Sequence, residues 1–193
     1  MSDRYREHFF TRQGVDYYCI EYPGEHRNNL PVVLIHGLMM GPRFWFHEEV
    51  EKLRQNGDVY CISLAGHYPS TLPDELHGPI TEAFITQMID HQLAFFGLED
   101  ERVILVGHST GALAALIYAL SRPEAIAALG IVATLPYGRE TSGIYRLFQH
   151  LNRRYGRIGY LLWYLIVKIN SVSYPLHRAF LGDVAYDRRK LFS

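Results

Sequence analysis

The sequence predicts an α/β protein, a mostly parallel, doubly wound sheet with helices on both faces. Two observations carry this expectation. Short, continuous apolar runs rich in β-branched residues recur at 31–36, 59–64, 102–107 and 126–135. Such runs suit strands buried on both faces. Helical patterns at 42–55, 80–96 and 110–121 fall between them, and that alternation is the rhythm of a parallel sheet.

The elements follow in order. His8 to Thr11 and Val15 to Tyr22 flank Gln13-Gly14, a pair suited to a tight hairpin turn. A polar loop, 23–29, leads into the run Pro31-Val-Val-Leu-Ile-His36. Pro42 to Gln55 reads as one helix, with Phe44, Val50 and Leu53 apolar and Glu48, Glu49, Glu51 and Lys52 polar. Val59 to Leu64 is a strand. Ile80 to Phe96 is an amphipathic helix with Gly97 as its C-terminal stop. Arg102 to Gly107 is the next strand, Thr110 to Ser121 an Ala- and Leu-rich helix stopped by Arg122-Pro123, and Ile126 to Leu135 a further strand. These elements make one expected domain, 1–135. Beyond Pro136 the pattern turns to glycine-punctuated, aromatic and arginine-rich pieces, so 136–193 is expected to be a helical cap-like segment.

Composition narrows the functional class. The chain has 193 residues, 48% of them hydrophobic and 20% charged, which argues against disorder. The formal net charge is −1, so no basic excess points to nucleic acid. Cys19 and Cys61 are too few for a metal cluster or a disulfide framework. No metal or cofactor is expected, and a reducing, cytoplasmic setting is the simplest context. The longest apolar stretch, Ile158 to Ile169, is short of the roughly 20 residues that a bilayer crossing needs. Arg153, Arg154 and Arg157 precede it. A helix packed over an apolar site is the preferred reading, with a membrane-surface helix as the alternative.

Gly107-His108-Ser109-Thr110-Gly111 is the strongest chemical signal. It is a G-x-S-x-G sequence placed between a strand and a helix, the setting of a nucleophile elbow. Glycines permit the tight turn, which lifts the Ser109 hydroxyl above the end of the sheet. The helix that follows points its positive end at the reacting centre. His36-Gly37 ends the preceding buried strand. The N–H groups of Leu38 and Thr110 would then give two donors to a developing oxyanion. His36 is read as a brace for this loop rather than as a proton carrier.

At this point the sequence resembles the α/β-hydrolase superfamily, in the branch with an HG oxyanion loop and a GHSxG elbow. Val32-Val-Leu-Ile-His-Gly37 is similar to the family's oxyanion strand, and Trp45 falls where members often carry an aromatic. Leu64-Ala-Gly-His-Tyr-Pro-Ser70 is similar to the family's LPGHGxS loop, with Ala65 and Tyr68 as departures. The resemblance runs from about residue 8 to residue 135. It implies that Ser109 is the nucleophile, that Gly37, Gly107 and Gly111 support the loops, and that His108 packs behind the elbow. It also implies that His67 is a loop brace or a substrate contact.

The resemblance further implies a carboxylic ester or thioester hydrolase acting on a small-molecule acyl substrate without a cofactor. The family's order is Ser, then Asp or Glu, then His. After Ser109 come Glu124, Glu140, Asp183 and Asp187, with His150 and His177. Asp183 and Asp187 follow both histidines, and Glu124 belongs at the far end of the sheet. The expectation is therefore that the acid and base of the triad are absent and that the fold is incomplete at its C-terminus, as in a truncated product. A rearranged Ser109, His177 and Glu140 site is the alternative within this chain. A catalytically incomplete binding or partner-dependent module is the alternative function. The uncharged 126–135 strand is also expected to leave an exposed sheet edge, through which the chain self-associates or meets a complementing chain.

Overall fold

A computed structural model of the chain describes residues 5–26, 29–38, 40–45, 47–72 and 80–134. The expected cap-like segment, 136–193, lies outside these residues. The strands are β1 (Arg6–Arg12), β2 (Val15–Tyr22), β3 (Val32–Ile35), β4 (Val59–Ile62), β5 (Val103–His108) and β6 (Ile126–Val132). The helices are α1 (His47–Arg54), α2 (Glu82–Phe95) and α3 (Thr110–Ser121). One six-stranded sheet runs in the order β1-β2-β4-β3-β5-β6. The β1–β2 and β2–β4 pairs are antiparallel, while β4, β3, β5 and β6 are parallel.

Local chemistry explains the boundaries. Gln13 (φ 51°) and Gly14 (φ 75°) both take left-handed backbone, as a two-residue hairpin turn requires. The Thr81 hydroxyl accepts the N–H of Phe84 at 3.1 Å and caps α2. Gly97, at φ 70°, closes the same helix. Pro123 follows α3 in a short 3-10 turn, Pro123–Ala125, that leads into β6.

Three expectations are corrected at their edges. The single helix over 42–55 is two pieces, a 3-10 turn at Pro42–Phe44 and then α1. Trp45 interrupts them with extended backbone, φ −69° and ψ 124°. The Phe44 ring then meets His108, and Trp45 packs on the core. β4 ends at Ile62 rather than at residue 64, because side chains take over the next backbone amides, as described below. β6 ends at Val132 rather than at residue 135. Ala133 turns to φ 48°, which extended pairing does not tolerate.

The sheet carries a core on each face. Alternation along the strands sends Val33, Ile35, Ile62, Val103 and Leu105 to one face, under Ile89 and Leu93 of α2 and Ala115 of α3. Val32, Leu34, Val59 and Cys61 face the other way, against Val50 of α1 and Trp45. Each fully buried aliphatic side chain of this kind contributes about 1.5–3 kcal/mol. Cys19 and Cys61 are both buried, unpaired and on opposite faces. A second tie joins α2 to α3, where the Asp90 carboxylate accepts from the Tyr118 hydroxyl at 2.9 Å and from Arg122 at 3.1 Å.

The two edges of the described sheet differ. β1 carries Arg6, Glu7 and Arg12, charges that discourage pairing with another chain. β6 carries none, and Leu129, Ile131 and Val132 remain 37%, 40% and 46% exposed. If this edge associates, light scattering on the purified chain gives a mass above 22.3 kDa, and Leu129→Lys lowers it toward the monomer. A monomer in both cases contradicts the expectation.

Candidate functional site

The site is built where three strand ends meet one helix start. β5 and β3 are neighbours, with Ile35 opposite Gly107. The chain leaves β5 at His108 and enters α3 at Thr110, so Ser109 alone makes the turn. It has φ 54° and ψ −115°, a conformation that costs a non-glycine residue about 1–3 kcal/mol. Backbone bonds hold it there. The Ser109 N–H donates to Val132 O at 2.9 Å, and its carbonyl accepts from Ala112 and Leu113 at 3.1 and 3.3 Å.

Two glycines make the turn geometrically feasible. A Cβ on Gly107 would stand 2.6 Å from Ala112 Cα and overlap the Gly111 carbonyl. A Cβ on Gly111 would stand 2.5 Å from Ile35 O and overlap the His36 carbonyl. A third glycine brings the neighbouring loop close, since a Cβ on Gly37 would lie 3.2 Å from Ser109 Cβ. The expected elements are therefore together: Ser109, Thr110 at the start of α3, and the Gly37-Leu38 loop after β3. Among the described residues no acceptor takes the N–H of Leu38 or of Thr110. The Thr110 hydroxyl is also buried without a partner.

His36 is fully buried and both ring nitrogens are engaged. Nε2 accepts the Leu64 N–H at 3.1 Å. That fixes the tautomer, so Nδ1 carries the proton and donates to Gly37 O at 2.8 Å. Met40 N–H reaches the same carbonyl at 3.3 Å. Burial pushes the imidazole down to about 3, with the nearby His67 adding to the effect and the Gly37 bond opposing it. A ring so placed braces the loop and has no free nitrogen for proton transfer.

The other described histidines near the site are placed differently. The His67 ring lies tilted against that of His36, centroids 5.3 Å apart, and burial lowers its affinity for a proton. His108 lies beneath the turn with its ring 4.7 Å from that of Phe44, again with its pKa lowered by burial. Its Nδ1 faces the α-carbon of Gly37 and has no hydrogen-bond partner. Glu140 and His177 lie outside the described residues.

Several contributors escaped the sequence reading. Arg43 ties the far end of the Gly37–Phe44 loop to the hairpin, donating to the Tyr18 hydroxyl at 3.0 Å and to Glu7. Ser63, Ser70, Met88 and Gln92 form a buried polar set behind His36. One signal was present in the sequence: Gln92 falls on the apolar face of α2, at helical spacing from Met88 and Ile89.

Comparisons with known proteins agree with the architecture. A model of the alpha/beta hydrolase family matches residues 32–193. "Putative carbamate hydrolase RutD" of Enterobacter cloacae is 36% identical over 100 residues, 51% of this chain and 35% of that protein. The thioesterase domain from the curacin biosynthetic pathway superposes with a TM-score of 0.59 at 26% identity, covering 77% of this chain and 51% of the domain. A Pseudomonas aeruginosa structure described as "a putative epoxide hydrolase" gives a TM-score of 0.68 at 21% identity, over 98% of this chain and 63% of that one. This likeness concerns the fold. The chain thus spans about a third of the curated relative and about half of the thioesterase domain.

The buried histidine makes stability depend on pH with a definite sign. Unfolded, the imidazole titrates near 6.5; folded, near 3. Between these values the unfolded chain takes up a proton that the folded chain refuses. Stability is complete above about 6.5 and falls as the pH drops toward 3, by on the order of a few kcal/mol. His67, His91 and His108 shift in the same direction. Calorimetry from pH 7 to pH 4 should show a falling melting temperature, and His36→Gln should flatten the slope. An unchanged slope in that variant contradicts the assignment.

Proposed function

The chain belongs to the alpha/beta hydrolase family, and from that premise we propose that it is a serine hydrolase-like protein acting on carboxylic ester or thioester bonds through Ser109. The observation that carries this reading is the backbone of Ser109, φ 54° and ψ −115°, on a one-residue turn between β5 and α3. A strained residue persists where its surroundings over-determine it, and such residues cluster at active sites. The likeness to a thioesterase domain supports the acyl class. The curated relative is named for carbamates, whose carbonyl carbon is attacked in the same way.

In this reading the Ser109 hydroxyl oxygen attacks the carbonyl carbon of a small acyl substrate, and a base takes its proton. The carbonyl oxygen becomes an oxyanion facing the N–H groups of Leu38 and Thr110, with the positive end of α3 behind it. The leaving alcohol or thiol takes up a proton as the tetrahedral intermediate collapses, and water then releases the acyl group from Ser109. Gly37, Gly107 and Gly111 allow the close approaches, and His36 supports the donor loop. No metal or cofactor enters these steps.

Among the described residues none is assigned as the base or the acid. His36 has both nitrogens committed to backbone groups, and among the described residues no histidine is hydrogen-bonded to the Ser109 hydroxyl. We therefore keep the catalytically incomplete, partner-dependent form as the second reading. An oxyanion hole and binding alone leave about 10³–10⁴-fold catalysis over water. The chain by itself is expected to hydrolyse p-nitrophenyl acetate weakly, and Ser109→Ala should abolish what there is. Hydrolysis that survives Ser109→Ala contradicts the assignment of the nucleophile. Fast fluorophosphonate labelling with burst kinetics contradicts incompleteness, and His177→Ala then tests the Ser109, His177 and Glu140 arrangement.

A further inference from the structure

Three successive backbone amides at the end of β4 donate to side chains instead of to a neighbouring strand. Ser63 N–H goes to Gln92 Oε1 at 2.9 Å, Leu64 N–H to His36 Nε2 at 3.1 Å, and Ala65 N–H to Met88 Sδ at 3.1 Å. Gln92 completes the pair with Ser63 from its other side, since its Nε2 donates to Ser63 O at 3.0 Å and to Met88 O at 3.1 Å. The carboxamide presents an acceptor and a donor in one plane, as a peptide does. It therefore pairs with Ser63 as a strand residue would. Gln92 Oε1 also accepts from the Cys19 thiol at 3.1 Å, so β2 joins the same knot. Ser63 and Ser70 share a hydroxyl–hydroxyl bond, and Ser70 Oγ accepts the Tyr18 N–H at 2.9 Å, which closes the loop on itself.

We propose that Gln92 is a positioning residue for the oxyanion loop, acting through Ser63-Leu64 and His36 on the Gly37–Leu38 peptide. The chain of contacts is continuous. Gln92 fixes Ser63, the Leu64 N–H that follows fixes His36 Nε2, and His36 Nδ1–H fixes Gly37 O at 2.8 Å. In a trans peptide the N–H points opposite to the C=O. Holding Gly37 O toward the imidazole therefore turns the Leu38 N–H away from it. Each bond in such a chain also polarises the next. Gln92 is wholly buried and touches no reacting atom, so its influence on Leu38 passes through these bonds. The inference rests on the reading of Leu38 as an oxyanion donor, and its test separates the two.

The experiment uses the full chain with Gln92→Leu, Gln92→Glu and a comparator, Leu93→Ala. Leu93 is the next residue of α2 and belongs to the apolar core alone. Nitrogen-15 NMR reads the His36 ring and the Leu38 amide, p-nitrophenyl acetate hydrolysis gives kcat and KM, and a melt gives stability. Gln92→Leu should move the Leu38 and His36 signals and lower kcat about tenfold or more, with KM within about twofold. Leu93→Ala should lower the melting temperature while leaving those signals and kcat near wild type. Gln92→Glu keeps the acceptor for Ser63 N–H and should fall between. The proposal is overturned if Gln92→Leu moves Leu38 and His36 no further than Leu93→Ala does. Should Gln92→Leu fail to fold, wild-type Leu38 and His36 signals in Gln92→Glu overturn it equally. If wild-type hydrolysis survives Ser109→Ala, the catalytic reading fails, and the NMR comparison still decides the role of Gln92.

Discussion

A methyl group on Gly111 would press into the carbonyls of Ile35 and His36, and one on Gly107 into the first turn of α3. The helix can therefore start directly against the ends of β3 and β5 only because these two positions lack a side chain. Everything at the site depends on that approach. It leaves a single residue to make the strand-to-helix turn, forces Ser109 into its strained backbone, and puts the start of α3 beside the Gly37 loop. The compensation is local. Val132 O, at the end of β6, holds the Ser109 N–H, and the Ser109 carbonyl is bonded twice by α3. β6 thus supports the turn as well as ending the described sheet.

Around this fixed point the loops are held by side chains. The segment after β3 is pinned at its start by His36 and at its end by Arg43 and by the Phe44 ring over His108. The segment after β4 is pinned by Gln92, Met88, Ser70 and, again, His36. Irregular backbone beside a buried core needs partners for its polar groups, and here buried histidine, glutamine, methionine and serine supply them. The same bonds fix the Gly37 carbonyl and the backbone of 63–65.

Much of this was legible in the sequence, and for physical reasons. The apolar runs before His36 and Ser109 and the Ala-rich stretch after Gly111 specify strand, turn and helix without tertiary information. The Gln13-Gly14 turn and the Gly97 stop are set by backbone geometry at single residues. Other features depend on contacts distant in sequence. Trp45 breaks the expected 42–55 helix where Phe44 and Trp45 pack on separate partners, and no periodicity reveals that. β4 ends early because Gln92, far along the chain, takes the place of a neighbouring strand. Gln92 could have been singled out as a polar residue on an apolar face, but its partner Ser63 could not. Glu140 and His177 lie outside the described residues; they stand after Ser109 in the order acid, then His.

The proposed catalysis depends first on the geometry between Ser109, Leu38 and Thr110. A crystal structure of the chain with a phenylboronic acid adduct would measure it, because boron bonded to the serine oxygen mimics the tetrahedral intermediate. The expected result is a covalent bond to Ser109 Oγ and a boronate oxygen within about 2.7–3.1 Å of both the Leu38 and the Thr110 nitrogens. An adduct whose oxygens face away from those two amides, or boron bound elsewhere with Ser109 free, would contradict it.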